Sequence, residues 1–207
     1  KGWSGKIQHK SGMPFQNSIN GKNIQLTIDL EYQSILEEEL KKRQDETSSS
    51  SATGIIMDPE TGEILAMATT PGFNNNHFGS TRPEFHRIKS ITDQFEPGST
   101  FKVVSTVSAL YDGLISLNDE FNCENGSFEY HTKKITDHES YSMLTASQII
   151  HHSSNIGIIK IMDQVGRKRL FSVSRDFGFG SKTGINLNGE VSGKLNHYND
   201  WSAVSLG

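Results

Sequence analysis

The chain has 207 residues, room for one large domain or a domain with a small appendage, and its 20 Lys and Arg against 24 Asp and Glu leave a net charge of −4. That balance excludes the strong positive field of a nucleic-acid binder or of a protein attracted to anionic membrane surfaces. A single cysteine, Cys123, allows neither an internal disulfide nor a cysteine-based zinc site, and no apolar run approaches the roughly 18 to 20 residues that a membrane-spanning helix needs.

Residues 1–28 are rich in Gly, Asn and Lys with brief strand-like pieces such as NIQLTI, and read as an extended linker or the remainder of a neighbouring domain. The abrupt start, without an initiator Met, and the equally abrupt end lead us to expect a longer parent protein. Asp29 is placed to N-cap a helix over LEYQSILEEELKKRQDE, with Tyr32, Ile35, Leu36 and Leu40 as its apolar stripe. The pairs Glu37–Lys41, Glu38–Lys42 and Glu39–Arg43 sit at i,i+4 spacing on the solvated side. TSSSSAT then leads into GIIMD and EILAMA, two short strands joined by the turn Pro59–Gly62. Their continuous apolarity predicts inner strands covered on both faces.

After the polar loop TTPGFNNNHFGSTRPEF comes EPGSTFKVVSTVSALYDG. Val103, Val104, Thr106 and Val107 favour a strand, but Pro97-Gly98 before and Asp112-Gly113 after bound a run too long for a typical strand, so we read a helix. FNCENGSFEYHTKKITD reads as a small β excursion, with Cys123 as a buried or half-buried thiol. Thr145 and Gln148 form a capping-box pattern that opens a short helix. A further helix is predicted after Asn155, ending at Gly166, and another helical stretch begins at Leu170 and Phe171.

Two places along this order carry candidate chemistry. Ser99 and Lys102 are three apart at the mouth of a helix, where side chains share a face with Cβ atoms roughly 5 to 6 Å apart. A serine hydroxyl becomes a nucleophile when a base takes its proton, and a lysine serves as that base once desolvation drives it neutral. Free N–H groups at the helix start favour an oxyanion there. Alone, Ser-x-x-Lys is better explained by a serine N-cap beside a surface lysine. The second place is HHSSNIG, where Ser153 and Asn155 flank Ser154 between two helices. Ser153 can relay a proton, and Asn155 can bond both a substrate amide and the lysine; by itself this is better read as a plain Ser/Asn helix cap.

FEPGSTFK, followed about fifty residues later by SSNIGIIKI and preceded by TGIIMDPETGEILAMATTPGFNNN, closely resembles the transpeptidase domain of class B penicillin-binding proteins. The resemblance runs from about Gly21 to the last residue, including FGFGSKTGINLNGEVSG, and the FEPGST wording with the DWSAVSLG ending is similar to the division-associated, septal branch. It implies that Ser99 is the acylated nucleophile, Lys102 its general base, and Ser153 and Asn155 the second catalytic element. Residues 29–207 would be the N-terminal part of the transpeptidase domain. The family's third element, Lys-Thr-Gly or Lys-Ser-Gly on an inner strand, is not assigned to Lys182-Thr183-Gly184, whose preceding Gly178-Phe179-Gly180 suits a loop. That element is expected beyond Gly207, so the chain by itself is expected to be inactive.

The fold class the resemblance implies is α+β: an antiparallel sheet flanked by helices, with an all-helical lobe carrying Ser99, Lys102, Ser153 and Asn155. The implied activity is D,D-transpeptidation of peptidoglycan stem peptides ending in D-Ala-D-Ala, with acylation by β-lactams, other division or wall-synthesis proteins as partners, and no cofactor. The implied location is the outer face of the cytoplasmic membrane, held by an anchor outside this chain. A serine β-lactamase or β-lactam sensor is the near rival; a non-catalytic division scaffold is the distant one. His151 and His152, adjacent in sequence, are read as structural residues near the cleft rather than a zinc site, and GRKRL as a solvated helix face.

Overall fold

Asp29 does cap the first helix: its carboxylate accepts from the N–H groups of Glu31 and Tyr32, and α1 runs over Leu30–Thr47. The computed structural model of the protein describes residues 20–201, so residues 1–19 of the expected linker lie outside the described residues. Residues 20–29 form no helix or strand. The side of α1 turned inward is the expected one only in part. Leu36 and Leu40 are half-buried, but Tyr32 and Ile35 stay about half exposed, at 47% and 50%. Gln33 takes their place, since its carboxamide donates to the carbonyl of Met67 (3.0 Å) and accepts from the N–H of the same residue (2.8 Å). The ion pairs on the helix are Lys42–Glu39 and Arg43–Glu46, at i,i+3 instead of i,i+4.

Beneath α1 lies an antiparallel hairpin of β1 (Ala52–Met57) and β2 (Ile64–Thr70), in register Gly54↔Ala68 and Ile55↔Met67. Its turn is shaped by Asp58, whose side chain accepts from the N–H groups of Glu60 and Thr61. Gly54 lets α1 sit close on the hairpin, since a Cβ at that position would lie 2.8 Å from Cδ1 of Leu36. Gln33 and the Asp29 N–H, which donates to Leu65 O, complete the outer edge of β2 in place of a third strand. The expectation of burial on both faces is corrected for β1 alone, since β2 leaves no residue exposed. Burial alternates along β1, with Ile55 and Met57 on the exposed side. The side of β1 that carries Ile55 and Met57 is left largely uncovered, as an antiparallel hairpin allows.

The Val- and Thr-containing run is helical despite its strand-favouring residues. After the single-turn helix α2, Lys89–Thr92, a 3-10 turn over Gly98–Phe101 leads directly into α3, Lys102–Tyr111, which buries Val104, Ser105, Thr106, Ser108 and Ala109. Tertiary packing outweighs the weak propensity term. The chain continues through β3 (Glu120–Asn122), β4 (Ser127–Tyr130), β5 (Lys133–Thr136) and β6 (Met143–Thr145). These form two short antiparallel ladders, β3 with β6 and β4 with β5. The α+β class holds, and the lobe around Lys102 contains these ladders as well as helices.

The Thr145 capping box is fully formed and opens α4, Ala146–His152. Asn155 itself begins α5, Asn155–Val165, with Ser154 as its cap. Along α5, residues Ile156 to Ile159, Ile161 and Met162 are all buried, as suits a helix apolar on nearly all sides. α6, Arg167–Asp176, packs beside it, contributing Leu170 and Val173 to the core. In the basic run at its start Arg167 and Lys168 are exposed, as expected of a solvated face, while Arg169 is half-buried in a two-pronged bond with Asp112 (2.7 Å each) and Arg167 donates to Trp201 O.

Candidate active site

Ser99 sits one residue into the 3-10 turn, where Gly98 takes a left-handed φ of 58°. Thr100 steadies the turn by donating from Oγ1 to Pro97 O (2.7 Å). Among the described residues the Ser99 hydroxyl makes no hydrogen bond, and the residue is exposed. One turn later Lys102 is 2% exposed. A buried ammonium is costly unless its protons are received, and all three are. Nζ donates to Ser153 O (2.7 Å), Ser153 Oγ (3.1 Å) and Asn155 Oδ1 (2.6 Å). Residues 51 and 53 positions further along the chain thus converge on one amine.

The electrostatics of that amine oppose each other. Burial lowers its proton affinity below the ordinary lysine value, and the nearby carboxylate of Asp137 works in the other direction. Of its three acceptors, the two carbonyl oxygens can only accept. The Ser153 hydroxyl can also donate, so it suits either protonation state of the lysine.

The turn that presents these acceptors is tightly made. Ser153 closes α4 in the left-handed region, φ 55°, and its N–H bonds back to the last turn. Ser154 is 1% exposed; its hydroxyl donates to Asp137 Oδ2 (2.6 Å) and accepts from Gly157 N–H (2.9 Å). Asp137 Oδ1 accepts from the N–H of Asn155 (2.6 Å) and of Ile156 (3.1 Å). The Asn155 carboxamide, expected to bond both lysine and substrate, does meet the lysine. Its Nδ2 donates to Thr136 O (2.9 Å), which leaves one N–H of that amide uncommitted. Gly157 lets α4 and α5 approach: a Cβ there would lie 2.5 Å from Cγ1 of Ile149.

Sequence reasoning passed over Asp137 and Ser154. Ser154 was visible as a helix-cap residue, whereas nothing local singles Asp137 out among 24 acidic residues. Cys123 is fully buried, and burial pushes its thiol proton affinity up. His151 and His152 are exposed, with rings 4.8 Å apart and nearly perpendicular. Lys182, Thr183 and Gly184 lie in an exposed loop. There the Glu190 carboxylate accepts from the N–H and hydroxyl of Thr183, both at 2.6 Å, and that loop carries no strand.

Comparison with known proteins places these residues in context. The sequence pattern of the penicillin binding protein transpeptidase domain matches residues 52–207. The chain belongs to this family. Its relatives are of the class B type. Over 182 residues it is 34% identical to the peptidoglycan D,D-transpeptidase FtsI of Escherichia coli, covering 88% of this chain and 31% of that protein. Over 179 residues it is 30% identical to stage V sporulation protein D of Bacillus subtilis, covering 85% of this chain and 28% of the relative. The chain therefore spans less than a third of the length of these two relatives. The fold resembles the transpeptidase domain of penicillin-binding protein 3 from Burkholderia pseudomallei, with TM-score 0.75 and 26% identity over 87% of this chain and 50% of that one. A peptidoglycan glycosyltransferase structure from Burkholderia ambifaria is similar at TM-score 0.76 and 26% identity, covering 88% and 54%.

Proposed function

We propose that the full-length protein is a peptidoglycan D,D-transpeptidase of septal wall synthesis, working through a serine acyl-enzyme. The observation that carries this reading is the buried Lys102 amine, one helical turn from an exposed serine and gripped by Ser153 and Asn155. In its neutral form Lys102 keeps two N–H donors and gains a lone pair. The two carbonyl acceptors can hold the donors while the lone pair takes the proton of Ser99. Ser99 Oγ then adds to the carbonyl of the penultimate D-Ala of a stem peptide. The N–H groups at the start of the 3-10 turn stabilise the oxyanion. Ser153 passes the proton to the departing D-alanine amine, and the uncommitted N–H of Asn155 orients the peptide. An amine from a neighbouring strand attacks the ester, forming the cross-link and returning the hydroxyl to Ser99.

By the same reading residues 1–28 are linker or the end of a preceding domain, and residues 29–207 belong to the transpeptidase domain. The full-length protein is tethered to the cytoplasmic membrane with this domain on the outer face, and it works beside other division proteins. A β-lactam mimics the stem peptide, and its opened ring stays on Ser99.

Intact-mass spectrometry of the full-length protein with penicillin tests this. We expect an adduct of the whole antibiotic on Ser99 that persists for many minutes and is absent from Ser99→Ala. No adduct would favour a scaffold, and an adduct that turns over within seconds would favour a β-lactamase.

A further inference from the structure

We propose that Asp137 is a positioning residue of this site: its carboxylate fixes the Ser153–Asn155 segment around the Lys102 amine and sets a negative charge beside that amine. The inference rests on the acyl-transfer reading above and extends it to a residue that touches no substrate.

Asp137 directly follows β5, and its own N–H donates to Gly126 O (3.2 Å), so its backbone is held from behind. Both carboxylate oxygens are spent on the α4–α5 connection. Oδ2 takes the Ser154 hydroxyl, and Oδ1 takes the N–H groups of Asn155 and Ile156. The preceding Thr136 carbonyl takes Asn155 Nδ2. Two consecutive residues thus hold Asn155 by main chain and side chain together. Without them the α5 N-terminus would lose acceptors for two N–H groups, and Ser153, in a left-handed conformation that serine adopts at some cost, would be held by the closing bonds of α4 alone. Relaxation there moves the two Ser153 oxygens that receive the lysine protons. In catalysis generally, a misplacement of about 1 Å can cost about 100-fold in rate.

The charge has a separate effect. On the elements packed against α3, α4 carries the exposed His151 and His152. On α5, Lys160 is paired with Glu124 and Asp163 accepts from the Tyr130 hydroxyl. On α6, Arg169 is paired with Asp112. Asp137 is the charged neighbour that acts on Lys102. It favours the ammonium and so sets how far burial alone can lower the pH at which the base becomes neutral.

The test is the acylation rate of the full-length protein by penicillin, measured against pH for wild type, Asp137→Asn and Asp137→Glu, with unfolding midpoints recorded in parallel. Asp137→Asn keeps the shape and one acceptor oxygen but loses the charge. We expect its plateau rate to fall by about tenfold or more and its acid limb to move to lower pH. Asp137→Glu keeps the charge but displaces the oxygens, so its limb should stay in place while its plateau falls. An unmoved limb in folded Asp137→Asn overturns the proposal, whatever the plateau. If Asp137→Asn does not fold, Asp137→Glu decides: a lower plateau with an unmoved limb supports the proposal, and a wild-type plateau overturns it. Absence of a Ser99 adduct in the wild type is a different failure, since it removes the acyl-transfer reading itself.

Discussion

Replacing Gly157 by Ala sets two physical effects against each other. On an isolated helix the change would stabilise by about 0.8 to 1 kcal/mol, because alanine loses less backbone entropy. Here the added Cβ would meet Cγ1, Cδ1 and Cγ2 of Ile149 at 2.5, 2.6 and 3.1 Å. Ordinary carbon contacts lie at about 3.5 to 4.0 Å, so α4 and α5 must part by about 1 Å. Ile149 is fully buried and cannot swing aside into solvent. Forced overpacking costs about 1 to 3 kcal/mol; set against the propensity gain, Gly157→Ala should destabilise by up to about 2 kcal/mol. At about 2 to 4 °C per kcal/mol for a domain of this size, the unfolding midpoint of the full-length protein's transpeptidase domain should fall by several degrees.

A double-mutant cycle with Ile149→Ala isolates the contact. Ile149→Ala alone leaves a cavity and should cost about 2 to 5 kcal/mol. In that background the alanine at 157 has room, so its cost should vanish or change sign. Because the same separation of helices displaces Ser153, Gly157→Ala should also slow penicillin acylation. A Gly157→Ala protein more stable than wild type, or one equally destabilised with and without Ile149, would refute the reasoning.

Lys102→Met should lower the acylation rate by about 100- to 10,000-fold, the usual worth of a positioned base. The wild-type rate should rise with pH and level off below 10.5, the ordinary lysine value, because burial lowers the proton affinity of Lys102. The linked stability has a defined sign. With the folded value below the unfolded one, the unfolded chain binds more protons in the interval between them, so this group's contribution to stability grows as pH rises through that interval. Urea midpoints measured up to pH 10 should show that increment in wild type and lack it in Lys102→Met. Lys182→Ala, in the exposed loop closed by Glu190, should leave acylation within about twofold, the near-neutral result usual for surface changes; a loss of tenfold would restore Lys182-Thr183-Gly184 as a catalytic triplet.

Local chemistry was legible from the residues alone. Asp29, the Thr145–Gln148 box and the Pro97-Gly98 start each act within one turn of backbone, and each is found where its spacing put it. The Ser99 to Lys102 interval is likewise a property of helical pitch. The inward side of α1 was misread in part because a 3.6-residue stripe identifies apolar positions, not the strand edge that Gln33 must complete. The outer side of β1 was misread because an apolar run has no marker for which of its faces another element will cover.

The chain by itself determined its caps, most of its helices, and a serine and a lysine sharing one helical face, since these depend on dihedral preferences and interactions over three or four residues. Only the tertiary structure decided that the lysine is buried, that its protons go to Ser153 and Asn155, and that Asp137 bonds Ser154 and Asn155 beside them. Desolvation and long-range hydrogen bonds are set by which elements pack together, and residues 51 and 53 positions away leave no trace in the sequence around Lys102.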